Sequence, residues 1–173
     1  DTLMISAGLI PENELTEQAG IEIAKGTHGA VVTEDLQTSA AGFFACGNVL
    51  HVHDLVDFVA AEAEEAGVHA AKYILEASGD AGDTIAVVNG DGAGAVVPQL
   101  IHRAPKQDKV ALMFRPRNKF RDVTVKAESG GAVIATKKLI AVTPGEMIRL
   151  EIPAEKLAQA GESITISLEG GAI

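Results

Sequence analysis

Aromatic residues are scarce in this chain of 173 residues: there is no Trp, one Tyr, and aromatics make up only 3% of the whole. With 47% hydrophobic residues, the core has to be assembled from Ala, Val, Ile and Leu. The one cysteine, Cys46, excludes an internal disulfide framework and a self-contained zinc–thiolate cluster. No apolar run approaches the ~20 residues that span a bilayer, so no membrane span is expected. The N-terminus carries no basic region, apolar stretch and cleavage site in the order of a secretory signal. Basic residues are also few, 14 against 24 acidic, giving a net charge of −10 and a pI near 4.9. That balance opposes nucleic acid as a partner. These absences suit a reducing, cytoplasmic setting. The length suits one domain or two small ones, enough to bury a core without covalent staples.

What charge there is divides unevenly. Residues 1–80 hold two basic groups (Lys25, Lys72) and fourteen acidic ones, net −12; residues 81–173 net +2. Such asymmetry marks two surfaces that titrate separately, with a linker of suitable chemistry at Ser78-Gly79-Asp80-Ala81-Gly82-Asp83. Asp1 is not an initiator Met, and Thr2–Ser6 already has the look of a buried strand, so the chain is expected to be a fragment.

In the first half, Thr2–Ser6, Gly29–Val32 and Phe43–Ala45 are short apolar runs bounded by turn residues, as for buried strands. Pro11–Gly20 predicts a short helix ended by Gly20. From Asp54 to about Ala77 the residues Leu55, Phe58, Val59, Ala66, Ala70, Tyr73 and Ile74 recur at near-helical spacing, which leaves Glu62, Glu64 and Glu65 exposed. Asp54 suits the N-cap and Asp57 the first turn, where negative charge favours the dipole. The second half differs. Val110–Phe114, Asp122–Ala127, Ala132–Ala135, Leu139–Val142, Met147–Ile152 and Ser163–Leu168 are strand-like and punctuated by Gly, Asn and Pro-Gly, with one helical turn at Glu155–Ala160. Short strands so spaced predict a β-sandwich.

The segment from Leu36 to Val49 carries the strongest chemical signal. It is a turn, then an apolar strand, stopping at Gly47 and followed by Asn48. Glycine at a strand's carboxyl end permits close backbone approach to a ligand, and Asn48 can hydrogen-bond a hydroxyl or phosphate. A helix beginning soon afterwards aims N–H groups at the same place. A strand, turn and helix without any ligand fit the spacing equally well.

Thr38-Ser39-Ala40-Ala41-Gly42-Phe43-Phe44-Ala45-Cys46-Gly47-Asn48 resembles the second flavin-binding motif of the pyridine nucleotide-disulfide oxidoreductases, the flavoproteins of thioredoxin reductase type. Asp1–Leu15 is similar to that family's segment crossing from the nicotinamide domain to the flavin domain, and Glu65–Ala71 to its Ala/Gly-rich final helix. The resemblance covers residues 1–77 and none of the second half. It implies an α/β fragment, the C-terminal part of an FAD-binding domain at 1–80 (with 1–7 the last strand of the nicotinamide domain), followed by an all-β sandwich-like domain at 81–173. It implies FAD contacts at Gly47, Asn48, Val49, Phe58 and Val59, with Asn48 where most relatives have Asp on the ribityl chain. Neither glycine-rich dinucleotide fingerprint precedes this segment. The parent enzyme would move hydride from NAD(P)H through FAD to an unknown acceptor, and this chain alone would hold FAD weakly and be inactive. Partners would be the rest of the parent flavoenzyme and a subunit of glycerol-3-phosphate dehydrogenase type.

Other constellations are weaker. Thr84–Val88 with Gly90-x-Gly92-x-x-Ala95 mimics a Rossmann fingerprint, but Pro98 and the β-like remainder oppose the helix that it needs. Cys46 lacks a second thiol, so an inert thiol is expected and no catalytic residue is assigned. His51 and His53 with Asp54 and Asp57 could be drawn as a metal cluster, but further ligands are not evident and no metal is assigned. The basic stretch Arg103–Arg121 contains Pro and no recurrent aromatics, and suits docking on the acidic half or on an acidic partner. Two other classes stay open: a non-catalytic binding or subunit-interaction module, and a stand-alone small-ligand protein using the His51–Asp57 loop.

Overall fold

Alternation of side chains builds the second half. In the computed structural model, which describes residues 1–5, 8–75 and 82–172, Val110, Leu112 and Phe114 turn inward and their neighbours outward, as do Val123, Val125 and Ala127. The chain first forms helix α1 (Glu14–Gln18), a 3-10 turn (Gly47–Val49) and the long helix α2 (Val56–Leu75). Strands follow: β1 (Thr84–Asn89), β2 (Ala93–Val97), β3 (Leu100–His102), β4 (Lys109–Pro116), β5 (Phe120–Ser129), β6 (Ala132–Val142) and β7 (Ile148–Pro153). Helix α3 (Ala154–Leu157) and strand β8 (Ser163–Ala172) complete it.

The strands make two sheets, β3-β1-β8-β5-β6 and β2-β4-β7. All pairs are antiparallel except β1 with β8. Between the sheets lies a core that includes Ile85, Leu112, Phe114, Leu150, Ile152, Ile164 and Ile166. The second half is thus all-β, with a curled sheet, and loosely compatible with the expected sandwich. The runs Ala132–Ala135 and Leu139–Val142 are one strand of eleven residues. As an edge, it carries Lys137 and Lys138 on exposed positions, a common guard against edge-to-edge pairing. Thr84–Val88 leads through a glycine turn into another strand and not into a helix, so no Rossmann unit forms there.

The first half corrects the expectation of an α/β flavin-domain fragment. Strand accounts for 39% and helix for 20%, and the named strands all lie beyond residue 83. Leu3, Met4 and Ile5 are 84–91% exposed and have no β partner among the described residues. Gly29–Val32 and Phe43–Ala45 enter only single bridges: Ile23 with Ala30, Val32 with Thr38, Gln37 with Phe44. Neighbouring segments do take some of their N–H and C=O groups, as in Ala24 N–H to Gly29 O and Thr38 N–H to Phe43 O, but each pairing stops at a single bridge and no ladder follows. The first half is instead a folded loop system packed on α2. Its small core of Ile21, Ala30, Val32, Leu36, Leu50 and Ala66 also takes Val97 from β2. Gly29 passes so close to Leu50 that a Cβ would sit 1.9 Å from the Leu50 carbonyl oxygen.

Of the helices, Pro11–Gly20 is realised as Glu14–Gln18 and ends just before Gly20 at φ +73°. The expected α2 forms over Val56–Leu75, its C-terminal extension and most of the 78–83 linker lying outside the described residues.

Truncation of Leu112, fully buried between the sheets, to Ala is expected to lower unfolding free energy by about 2–5 kcal/mol. Ile140→Ala on the exposed edge face should change it by no more than ~0.5 kcal/mol. Urea denaturation of both variants checks the placement of the core.

Candidate functional site

The residues between Cys46 and Asp54 are folded back on α2 by a single carboxylate. Glu62, one turn and a half into the helix, is only 5% exposed. Its Oε1 is 2.8 Å from His51 Nε2, and its Oε2 is 3.0 Å from His53 Nε2 and accepts the Gly47 N–H at 2.5 Å. The two imidazoles lie against one another, centroids 4.2 Å apart. Gly47 has φ +71°, a conformation that favours glycine, and a Cβ there would press on Val59 Cγ1 at 3.2 Å. The 3-10 turn then donates Leu50 N–H and His51 N–H back to the Gly47 carbonyl.

Burial by itself pushes Glu62 toward the neutral acid. The His51 ring, the Gly47 N–H and the His53 ring outweigh it, and the carboxyl is held below its ordinary range. Cys46, half-buried beside this group, is pushed up by burial and by the Glu62 charge, which makes its thiol a poor nucleophile.

The five residues that the flavin resemblance singles out are distributed as follows. Gly47 is buried and its N–H is held by Glu62, so it offers no donor to a ligand. Asn48 is exposed; its Oδ1 accepts the His53 N–H at 3.1 Å, and its Nδ2 is left to solvent. Val49 is half-buried and its carbonyl accepts Asn13 Nδ2 at 2.8 Å. Val59 is half-buried beneath Gly47, and Phe58 is 52% exposed with its N–H bonded to the Leu55 carbonyl. Gly47, Asn48 and Val59 therefore share one corner, whereas Phe58 faces a separate cleft. The corner presents a left-handed glycine turn and an outward carboxamide close to the start of a helix, with the Gly47 N–H and the Val49 carbonyl already engaged within the chain.

The expectation that Glu62 is exposed does not hold. The packed stripe of α2 runs through Val59, Glu62, Ala66, His69, Ala70 and Tyr73, while Leu55, Phe58 and Ile74 are more than half exposed. Centring the helical stripe on Ala66 would have turned Glu62 inward.

Polar contacts join the two halves around this loop. The Asp54 carboxylate does not cap α2; it takes the Met147 N–H at 2.8 Å and the Arg115 guanidinium. Arg115 also donates to the Val52 carbonyl at 3.2 Å. Burial opposes the Asp54 charge, but Met147 and Arg115 prevail and its carboxyl is held below the usual range. Farther along, Glu34 accepts both the His102 backbone N–H at 2.9 Å and its Nδ1 at 3.0 Å, and Gln107 donates to Asp35 at 2.7 Å. The Glu34 hydrogen bond raises His102 above its ordinary value despite partial burial. So the docking of basic residues on the acidic half, expected from charge, is realised at Arg115. Between α2 and the three-stranded sheet lies a cleft of about 200 Å³, lined by Phe58, Glu62, Val97, Val110, Met113 and Met147 among others.

Arg115→Glu, which sets a carboxylate against Asp54, is expected to lower stability by about 1–3 kcal/mol. Arg117→Glu, at an exposed position, should stay within ~0.5 kcal/mol; chemical denaturation distinguishes the two. Because His102 is raised in the folded state, its contact is fully stabilising below the unfolded value of about 6.5 and is lost as pH rises through the folded one. The stability advantage of the wild type over His102→Ala, read as melting temperature, should therefore be greater at pH 5.5 than at pH 8.5, by about 1 kcal/mol or ~2–4 °C.

No helix among the described residues is long and apolar enough to cross a membrane. Comparison of the chain with protein-family models, with curated proteins and with solved structures gives no match in any of the three.

Proposed function

We propose that this chain contributes to a larger FAD-dependent oxidoreductase, to which it brings a β-sandwich and a loop-and-helix region open to a partner. The observation that carries the reading is the unequal finish of the two halves. Of the large apolar side chains exposed among the described residues, thirteen lie in 1–75 and three in 82–172. Leu3, Met4, Ile5, Leu9 and Ile10, together with Phe58 at the start of α2 and Ile74 and Leu75 at its end, form apolar surface that a soluble monomer seldom leaves open. These residues sit within the stretch that resembles a flavoprotein, so the covering partner is the remainder of that enzyme.

FAD, when bound, supplies the hydride-accepting chemistry. The residues of this chain bind and orient. Asn48 Nδ2, free toward solvent, suits a hydroxyl of the ribityl chain. Gly47 lets the backbone turn without a side chain in the way, its N–H serving to keep the turn in place through Glu62. Phe58 and Val59 present the first turn of α2. The nicotinamide would bind on the missing remainder, and a dehydrogenase subunit suits the apolar or the basic surface. A cytoplasmic setting fits the one unpaired cysteine.

A subunit-interaction module without catalysis is the second reading, favoured by the same open apolar surface. The flavin absorbance of the full-length parent, before and after NADH, separates them. Bleaching of a bound flavin is expected, with at least a tenfold loss of FAD affinity in Asn48→Leu; a colourless full-length protein would leave the module. The isolated chain is expected to retain less than stoichiometric FAD.

A further inference from the structure

We propose that His51, His53 and Glu62 form a binding site for a divalent transition metal of the zinc class. The three side chains bring one ligand atom each to within 4.8 Å of one another. Their side chains are 6%, 3% and 5% exposed, so the three groups are enclosed by protein. Both imidazoles approach through Nε2, one to each oxygen of the same carboxylate, at 2.8 and 3.0 Å. In a tetrahedral site with bonds of about 2.0–2.2 Å, nitrogen and oxygen ligands stand ~3.4 Å apart. The two nitrogen–oxygen separations of 2.8 and 3.0 Å fall short of that value by about half an ångström.

The donor set is chemically coherent. Two imidazoles and a carboxylate suit Zn²⁺, Co²⁺ or Ni²⁺ and are poor for Mg²⁺ or Ca²⁺, which prefer all-oxygen shells. Glu62 turns both of its carboxylate oxygens toward the two imidazoles, one to each ring. Its Oε2 is steadied from behind by the Gly47 N–H, the kind of outer hydrogen bond that orients a ligating carboxylate. His53 and Glu62 also line the cleft of about 200 Å³ against the three-stranded sheet, whereas His51 lines the opposite side of the loop. Three protein ligands with one side open to a cleft is the pattern that leaves a coordination position for water or a small anionic or carbonyl ligand. A second group, Glu34, Asp35 and His102, is also close together, but it offers one imidazole instead of two, and its Asp35 and His102 side chains are 24% and 20% exposed.

This site neither requires a flavin nor depends on the reading above, and it can be tested on the present chain. Metal-stripped protein is titrated with Zn²⁺ while the imidazole signals of all five histidines are followed by NMR, and with Co²⁺ while its visible absorption is recorded. Uptake of one ion per chain is expected, with the His51 and His53 signals shifting, those of His28, His69 and His102 staying in place, and Co²⁺ showing four- or five-coordinate bands. His53→Ala and Glu62→Gln should each weaken binding at least tenfold. Folded wild-type chain that takes up no Zn²⁺ at micromolar concentration overturns the proposal. So do shifts at His69 or His102 in place of His51 and His53, a readout that needs no variant to fold.

Discussion

The arrangement of the first half depends on one desolvated carboxylate. A carboxylate as enclosed as Glu62 costs several kcal/mol to remove from water unless its oxygens are satisfied. Here they accept from two imidazoles and a backbone N–H, all of which come from the seven residues Gly47–His53. A helix side chain thus sets the path of a loop: Gly47 is drawn into its left-handed turn, and both histidines are drawn off the surface. Asn48 then closes the loop from outside by accepting the His53 N–H. The next residue, Asp54, emerges pointed at the sandwich, where Arg115 and Met147 hold it.

The two halves are stabilised in different ways. The sandwich has an apolar core between its sheets and an edge strand guarded by lysines. The first half has a core of a few residues, borrows Val97 from β2, and leaves much of its apolar surface open. What ties it down is largely polar: Asp54 with Arg115, Glu34 with His102, Asp35 with Gln107, and the Val32 backbone with Gln99 and Leu100. Charged contacts of this kind orient surfaces more than they add free energy. The opposite charges of the two halves therefore describe how they meet.

Flavin-motif and metal chemistry meet at the same turn without being the same site. Gly47 connects them, its left-handed φ serving the motif and its N–H serving Glu62. An outward Asn48 and an inward His53 are separated by five residues and joined by one hydrogen bond. The loop thus links the exposed Asn48 to the enclosed His51, His53 and Glu62.

Alternation along Val110–Phe114 and Val123–Ala127 was sufficient to identify the sandwich, because in a strand the choice of face repeats every two residues and each strand carries its own signal. The helix from Val56 was equally legible from its spacing, as was the end of α1 at Gly20. Short apolar runs such as Thr2–Ser6 were not, since a strand exists only through a neighbour and local sequence cannot supply one. The inward turn of Glu62 was hidden for a related reason. An acid on a helix is ordinarily solvated, and only the arrival of His51, His53 and the Gly47 N–H makes its burial tolerable. By itself the sequence determined local periodicity, turn positions and the division of charge, all properties of near neighbours along the chain. Tertiary structure alone decided which runs found partners and which charge was enclosed, because pairing and desolvation are set by groups distant in sequence.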